Sequence, residues 1–263
     1  MSAKTAVALV SLALTVGASS CLRFYDIGIE TPIQAKLDVS AFQRVLILGF
    51  LAGGSKDVDP NTETVRLLRS QLRTKSDLKV VDSDVLSLVD EVDRRRRAAG
   101  EIPATDPDAA AAPRGSDEPK IMNEKDLQEY EAIFADVDYW KRVGEEYQAP
   151  LIITGSVLFT DVQRSGMVTR SQETLDQYGR RAVTDVRRYE DRKGYALVPK
   201  FIFIDGRTGV QLYSESFREE TLYSATNNTP PLSSYFELMD RLLPGFLSTL
   251  STQKIKGTRT LLR

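Results

Sequence analysis

The chain has 263 residues, 41% of them apolar and 27% charged, with 35 basic against 37 acidic side chains and a formal charge of −2; this is ordinary for a globular protein with a sizeable core, and so balanced a charge offers no global attraction for nucleic acid. The absence of histidine removes Ser-His and Cys-His nucleophile pairs, histidine general bases and His-containing zinc sites. A single cysteine leaves nothing for an intramolecular disulfide.

The N-terminus reads as an export leader. Lys4 supplies a positive start, residues 6–16 an apolar run, and Gly17, Ala18, Ser19 and Ser20 the small residues of a cleavage site. The run is too short for the roughly 20 apolar residues of a membrane-spanning helix. Gly17-Ala18-Ser19-Ser20-Cys21 resembles the lipobox of bacterial lipoproteins, with alanine where leucine is commonest. The resemblance implies cleavage between Ser20 and Cys21, a diacylglyceryl thioether on the Cys21 sulfur, and palmitate-type acylation of the new amino terminus. Leu22 follows the cysteine, and by the same resemblance a residue other than aspartate there implies sorting to the outer membrane. Two or three acyl chains anchor stably where one binds only marginally. Without residues 1–20, which hold Lys4 and no acid, the net charge moves from −2 to −3.

Residues 21–35 contain Pro32 and no sustained period, and read as a lipidated tether leading into a short strand at 33–39. An extended tether reaches about 3.3 to 3.6 Å per residue. Arg44-Val45-Leu46-Ile47-Leu48-Gly49-Phe50 is a continuous apolar run, expected as a central strand buried on both faces. Gly49-Phe50-Leu51-Ala52-Gly53-Gly54 reads as a connecting turn; it lacks the G-x-G-x-x-G spacing, and Lys56 is followed by Asp57 rather than the Ser or Thr of a phosphate loop. Asp59 is placed to cap a helix with Pro60 at its first position, and Val65, Leu68 and Leu72 share one face through Lys75. Asp57, Asp59, Asn61 and Glu63 mimic the opening of a calcium loop, but Thr62 stands where glycine is needed and Leu68 where glutamate is needed. Helix capping is the expected role. A strand at 78–81 and a helix capped by Ser83 or Asp84, striped by Val85, Val89 and Val92, complete a β-α-β-α order that predicts a parallel sheet with right-handed crossovers. Arg94, Arg95, Arg96 and Arg97 follow Asp90, Glu91 and Asp93 at helical spacing and read as a solvated helix end.

Residues 98–120, with Pro103, Pro107, Pro113, Pro119 and an alanine run, hold too few large apolar groups to offset ordering entropy and are expected as a disordered insertion. Helical periodicity resumes through Leu127, Tyr130, Phe134, Val137, Trp140 and Tyr147, and residues 150–159 form another buried strand. Residues 163–193 are dense in charge and are expected as a two-sided polar hairpin without an apolar face. Its Arg180, Arg181, Arg187 and Arg188 are the candidate contacts for an anionic polymer or an acidic partner face. Strands at 195–205 and 210–217 are joined by Asp205-Gly206-Arg207-Thr208-Gly209. A last helix at 233–251 is striped by Leu238, Met239, Leu242, Phe246 and Leu250 and interrupted by Pro244-Gly245. Its Leu242, Leu243, Phe246 and Leu247 are expected in the core rather than at an oligomer contact.

Three segments together, Arg44-Val45-Leu46-Ile47-Leu48-Gly49-Phe50, "QAPLIITGSV" at 148–157 and "IDGRTGVQLYSES" at 204–216, resemble the periplasmic α/β domain shared by CsgG-type curli-secretion lipoproteins, LpoB-type activators of peptidoglycan synthases and the N-terminal domain of TolB-like proteins. The likeness follows the order of elements over most of 33–250. It implies an α/β fold: a three-layer mixed sheet with a parallel centre and an antiparallel C-terminal hairpin, flanked by helices in an anticodon-binding or Rossmann-like topology. It also implies a non-catalytic envelope protein. A curli-type pore would need membrane hairpins alternating apolar and polar residues, and each Arg or Lys at bilayer depth costs about 2 to 4 kcal/mol, which the basic 163–193 segment does not accommodate.

The expected organisation is a signal peptide at 1–20, a tether at 21–35, one periplasmic domain at 36–254 and a tail at 255–263. The expected function is that of a non-enzymatic outer-membrane lipoprotein: an adaptor or regulator of cell-envelope assembly that binds the membrane through its lipid and binds an envelope protein, with no catalytic residue, metal, cofactor or nucleic acid. Two alternatives stand beside it. One is a subunit of a homo-oligomeric secretion or motility-associated complex. The other is a carboxylate-based hydrolase, for which 37 scattered acids single out no pair.

Overall fold

The computed structural model describes residues 24–100, 121–175, 178–224, 226–227 and 229–262. They fall into two units, residues 36–251 and a terminal ribbon of 24–35 with 252–262. The ribbon consists of β1 (Phe24–Ile33) and β9 (Gln253–Leu262). In the larger unit the strands are β2 (Arg44–Ile47), β3 (Leu51–Gly54), β4 (Lys79–Val81), β5 (Leu151–Leu175), β6 (Arg181–Asp205), β7 (Gln211–Ser216) and β8 (Glu219–Ser224). Its helices are α1 (Pro60–Lys75), α2 (Leu88–Ala98), α3 (Glu124–Tyr130), α4 (Val137–Glu146) and α5 (Pro231–Leu250), with a 3₁₀ turn at Glu131–Ala135 between α3 and α4.

The continuous apolar run of β2 forms a strand because both its faces are covered. Val45 and Ile47 enter one core, with Val65, Leu68 and Leu72 of α1 and Tyr235, Leu238 and Phe246 of α5. Leu46 enters the other, with Leu88 of α2 and Trp140 of α4. Helices thus lie on both faces of a mixed sheet of strand order β4-β2-β5-β6-β7. β2 runs parallel to β4 and β5, while β6 is antiparallel to β5, β7 and β8. Leu242, Leu243, Phe246 and Leu247 are buried in the first core, so the stripe on the last helix is committed to packing.

Local chemistry explains the boundaries. The Asp59 carboxylate accepts from the backbone amides of Asn61 and Thr62, with Pro60 opening α1. Asn61 Oδ1 accepts from the Phe50 amide at 2.8 Å and its Nδ2 donates to the Leu86 carbonyl at 3.1 Å, so the calcium-like run is spent on capping and on joining loops. Arg69 fastens α1 to the sheet. Its guanidinium donates to the Ile47 carbonyl at 2.6 Å and to the Ser83 carbonyl and hydroxyl at 2.8 and 2.9 Å.

Four expectations are corrected. First, residues 51–54 are a strand, β3, paired in parallel with residues 156–159; Leu51 is fully buried and the Gly54 amide donates to the Ile121 carbonyl at 2.8 Å, so tertiary partners override the turn chemistry of the glycines. Second, α2 is capped by Ser87, not by Ser83 or Asp84, because the Leu86 amide is held by the Leu48 carbonyl at 2.9 Å and keeps the chain extended; Val85 packs on one core and Val89 on the other. Third, the periodic stretch 127–147 is broken where Asp136 accepts from the Tyr139 amide at 3.0 Å and starts α4 anew. Fourth, the strand expected at 33–39 ends at Ile33, and the amides of Lys36 and Leu37 instead donate to the carbonyls of Ser248 and Thr249 at 3.4 and 3.0 Å.

Gly155 is required where it stands. Its φ is +139°, and an added Cβ would lie 1.8 Å from the Lys200 carbonyl oxygen, far inside van der Waals contact. In the ribbon, β1 and β9 pair antiparallel from Phe24↔Leu262 to Ile33↔Gln253. The segments read as tether and tail therefore each supply one strand of the same ribbon. Residues 101–120, most of the expected insertion, lie outside the described residues, as do Ser20 and Cys21.

Candidate interaction surface

An exposed surface is built from the outer halves of β5 and β6. These strands share one register, from Leu151↔Asp205 to Leu175↔Arg181. Their inner halves lie in the sheet, and β8 covers β6 as far as Arg192↔Ser224. Beyond it, residues 165–175 and 181–191 pair only with each other. At about 3.4 Å per residue this two-stranded arm is roughly 36 Å long. Arg164 secures its base to β8 through Glu220 at 2.8 Å.

The register decides which side chains share a face. Because paired residues have equal parity, odd residues of both strands lie on one side and even residues on the other. Met167 faces Tyr189 across the strands, at 65% and 61% exposure, and Leu175 and Val183, also exposed, lie on the same odd face. The odd face thus mixes these four exposed apolar side chains with the charges of Glu173, Arg181, Asp185, Arg187 and Asp191.

The four candidate arginines are not gathered into one patch. Arg180 precedes β6 with its guanidinium 5.3 Å from the Tyr178 ring centroid, and Arg181, the first residue of β6, lies 3.9 Å from Glu173. Arg187 and Arg188 point to opposite faces, odd and even, and neither forms an ion pair among the described residues. Arg187 sits between Tyr189 and Asp185 on the odd side, about 20 Å along the strand from Arg181. Glu190 holds Arg170 at 3.0 Å and Arg192 at 3.4 Å on the even side. The hydroxyl of Ser171 donates to Asp185 at 2.7 Å.

At the root of the arm a cavity of about 130 Å³ is lined by Asp161, Gln163, Lys193, Tyr195, Tyr223 and Asn227. The Tyr223 hydroxyl donates to Glu237 at 2.6 Å. Burial, then this bond, pushes the Tyr223 phenol above its ordinary pKa, and burial does the same to Tyr195. Both are neutral donors at ordinary pH rather than ionised bases.

The run Arg94 to Arg97 is consumed within the fold. Glu91 pairs with Arg94 and, at 2.9 Å, with Arg95. Arg95 also reaches Asp136 at 2.7 Å and lies 4.0 Å from the Tyr139 ring centroid. Arg96 donates to the Glu129 carbonyl and stacks at 4.9 Å on Tyr130. Among the described residues no group of three or more Cys, Asp or Glu side chains is arranged to hold a metal, and no helix is long and apolar enough to cross a membrane.

What the molecule defines is a mixed α/β unit with a mixed sheet and five α-helices among the described residues, extended by an exposed β-arm. No known family's sequence pattern matches the chain, and no curated protein matches it. Among solved structures it is similar to lipoprotein GNA1162 from Neisseria meningitidis, at 11% identity and a TM-score of 0.32 over 77% of this chain and 96% of that one.

Proposed function

We propose that the chain is a lipid-anchored, non-enzymatic binding protein of the bacterial envelope. In this reading Cys21 carries acyl chains that hold it at the periplasmic side of the outer membrane, and the β5–β6 arm engages an envelope protein as an adaptor or regulator. Its α/β unit is then a variant of the anticodon-binding or Rossmann-like domain of CsgG-type, LpoB-type and TolB-like proteins.

The observation that carries the reading is the arm. A two-stranded hairpin without a core is marginal in water, and its long unpaired edges invite pairing with another chain. Here its surface is given to Met167, Tyr189, Leu175 and Val183 and to two arginines free of acidic partners. Tyrosine and arginine are the side chains most enriched where interfaces draw their energy. A single acidic group of the partner would meet Arg187 between Asp185 and Tyr189, with Tyr189 and Met167 supplying the desolvated centre.

Anchoring is tested by Cys21→Ala. The variant is expected to keep the fold, judged by its thermal transition, and to move from the membrane pellet to the soluble fraction. Recovery of folded Cys21→Ala protein in the pellet contradicts the anchor.

A further inference from the structure

The terminal ribbon carries a second surface, distinct from the arm. Strand alternation places the odd residues of β1 and β9 on one face and the even residues on the other. Tyr25, Ile27, Ile29 and Ile33 are all odd and all exposed. Over residues 26–30 and 254–260 the even face carries polar pairs: Thr260 Oγ1 donates to Asp26 at 2.7 Å, and Lys254 and Lys256 approach Glu30 at 3.7 and 3.6 Å. Ten residue pairs make an amphipathic ribbon roughly 34 Å long.

Two facts say what covers the apolar face. β1 begins three residues after Cys21, so an extended link places that end of the ribbon within about 10 Å of the cysteine. On the odd face the charged residue is Arg259 of β9, complementary to anionic phospholipid, while Lys254 and Lys256 turn to Glu30 on the other face. The level at which it can sit is fixed by its backbone: open strand edges cannot enter hydrocarbon, where no water satisfies their amides and carbonyls, but they are tolerated among hydrated headgroups.

Resting on the lipid anchoring of Cys21, we propose that the ribbon is an interfacial docking element that lies on the surface of the anchoring bilayer. Its odd face, with Tyr25, Ile27 and Ile29, meets the boundary between headgroups and acyl chains. Arg259, opposite Ile27, extends its charged end to the lipid phosphates. The chain is then held by acyl chains and by a strip of its own surface together, which fixes the ribbon flat rather than leaving it a free leash.

The test uses the full-length acylated protein in vesicles of phosphatidylethanolamine and phosphatidylglycerol. Acylation consumes the Cys21 thiol, so Ile27→Cys on the odd face or Thr258→Cys on the even face supplies a unique site for an environment-sensitive fluorophore. The expected result is several-fold stronger quenching by brominated lipid at position 27 than at 258, with the reverse order for aqueous iodide. Acylated, vesicle-bound protein in which both positions are equally open to iodide overturns the docking element and leaves the anchor standing. A position 27 shielded from both quenchers shows a protein partner or second copy on that face and overturns the proposal as well. A free Cys21 thiol by mass spectrometry, with no flotation on vesicles, overturns the anchor and the docking element together.

Discussion

Residues 151–159 of β5 and their partners at 197–205 of β6 are mostly buried, whereas residues 165–175 and their partners at 181–191 are mostly open to solvent, although one unbroken register joins the two halves. Only the inner half has helices over its faces, so the inner half should set stability and the outer half should be nearly free of it. A long pair of strands with this division is a scaffold with a limb: the sheet fixes the direction of the arm, and the arm is available for contact.

The inner half is most vulnerable at Phe159, whose ring is fully buried, stacked on Tyr195 at 5.0 Å and edge-on to Tyr235 at 5.3 Å. Phe159→Ala is expected to cost about 3 to 5 kcal/mol in urea unfolding, the cost of a large aromatic lost from a core; a loss under 1 kcal/mol would mean that the inner half is not the stabilising one. Arg69→Ala follows, at about 1 to 3 kcal/mol by the same measurement, since it leaves the Ile47 carbonyl short of a buried donor.

Alkaline pH sharpens the contrast through the core phenol. Tyr235 is buried and shares a hydrogen bond with Thr64 Oγ1 at 2.5 Å, and burial pushes its pKa well above the ordinary value. Unfolded tyrosine ionises near pH 10. The fold then retains a proton that the unfolded chain releases, so this contribution is fully present below about pH 10 and falls as the pH rises further. The loss should be smaller in Tyr235→Phe, compared by unfolding at pH 8 and at pH 11. The smallest effect on stability belongs to the arm. Arg187→Glu with Arg188→Glu should shift stability by no more than about 0.5 kcal/mol, as for surface changes away from special features, while weakening the partner contact.

Much of the inner architecture was legible in the sequence because it rests on local signals. The apolar run of β2, the Asp59-Pro60 cap, the Asp205 to Gly209 connection and the stripe of α5 each announce themselves within a few residues. What was not legible depends on pairing across distance. β1 and β9 are more than 200 residues apart in sequence and neither has the pattern of a buried strand, so nothing local shows that they meet. β3 looked like a turn because its glycines serve close approach, Gly53 to Ile121 and Gly54 to Phe159, rather than reversal. The binding surface was half legible. The charge of 163–193 is plain, but which arginines share a face follows from the register, and a shift of one residue would exchange the two sides. Arg187 and Arg188, adjacent in sequence, point apart for that reason, and Met167 and Tyr189, 22 positions apart, become neighbours.

The role proposed for the arm is to carry the surface through which the protein engages its partner. In-cell photocrosslinking with a photoreactive residue at Tyr189, compared with the same residue at exposed Arg66 on α1, tests it most directly. The prediction is a discrete adduct with another polypeptide from position 189, lost when Arg187 and Arg188 are both changed to Glu, and none from position 66. No adduct at 189, or the same adducts from both positions, would contradict it.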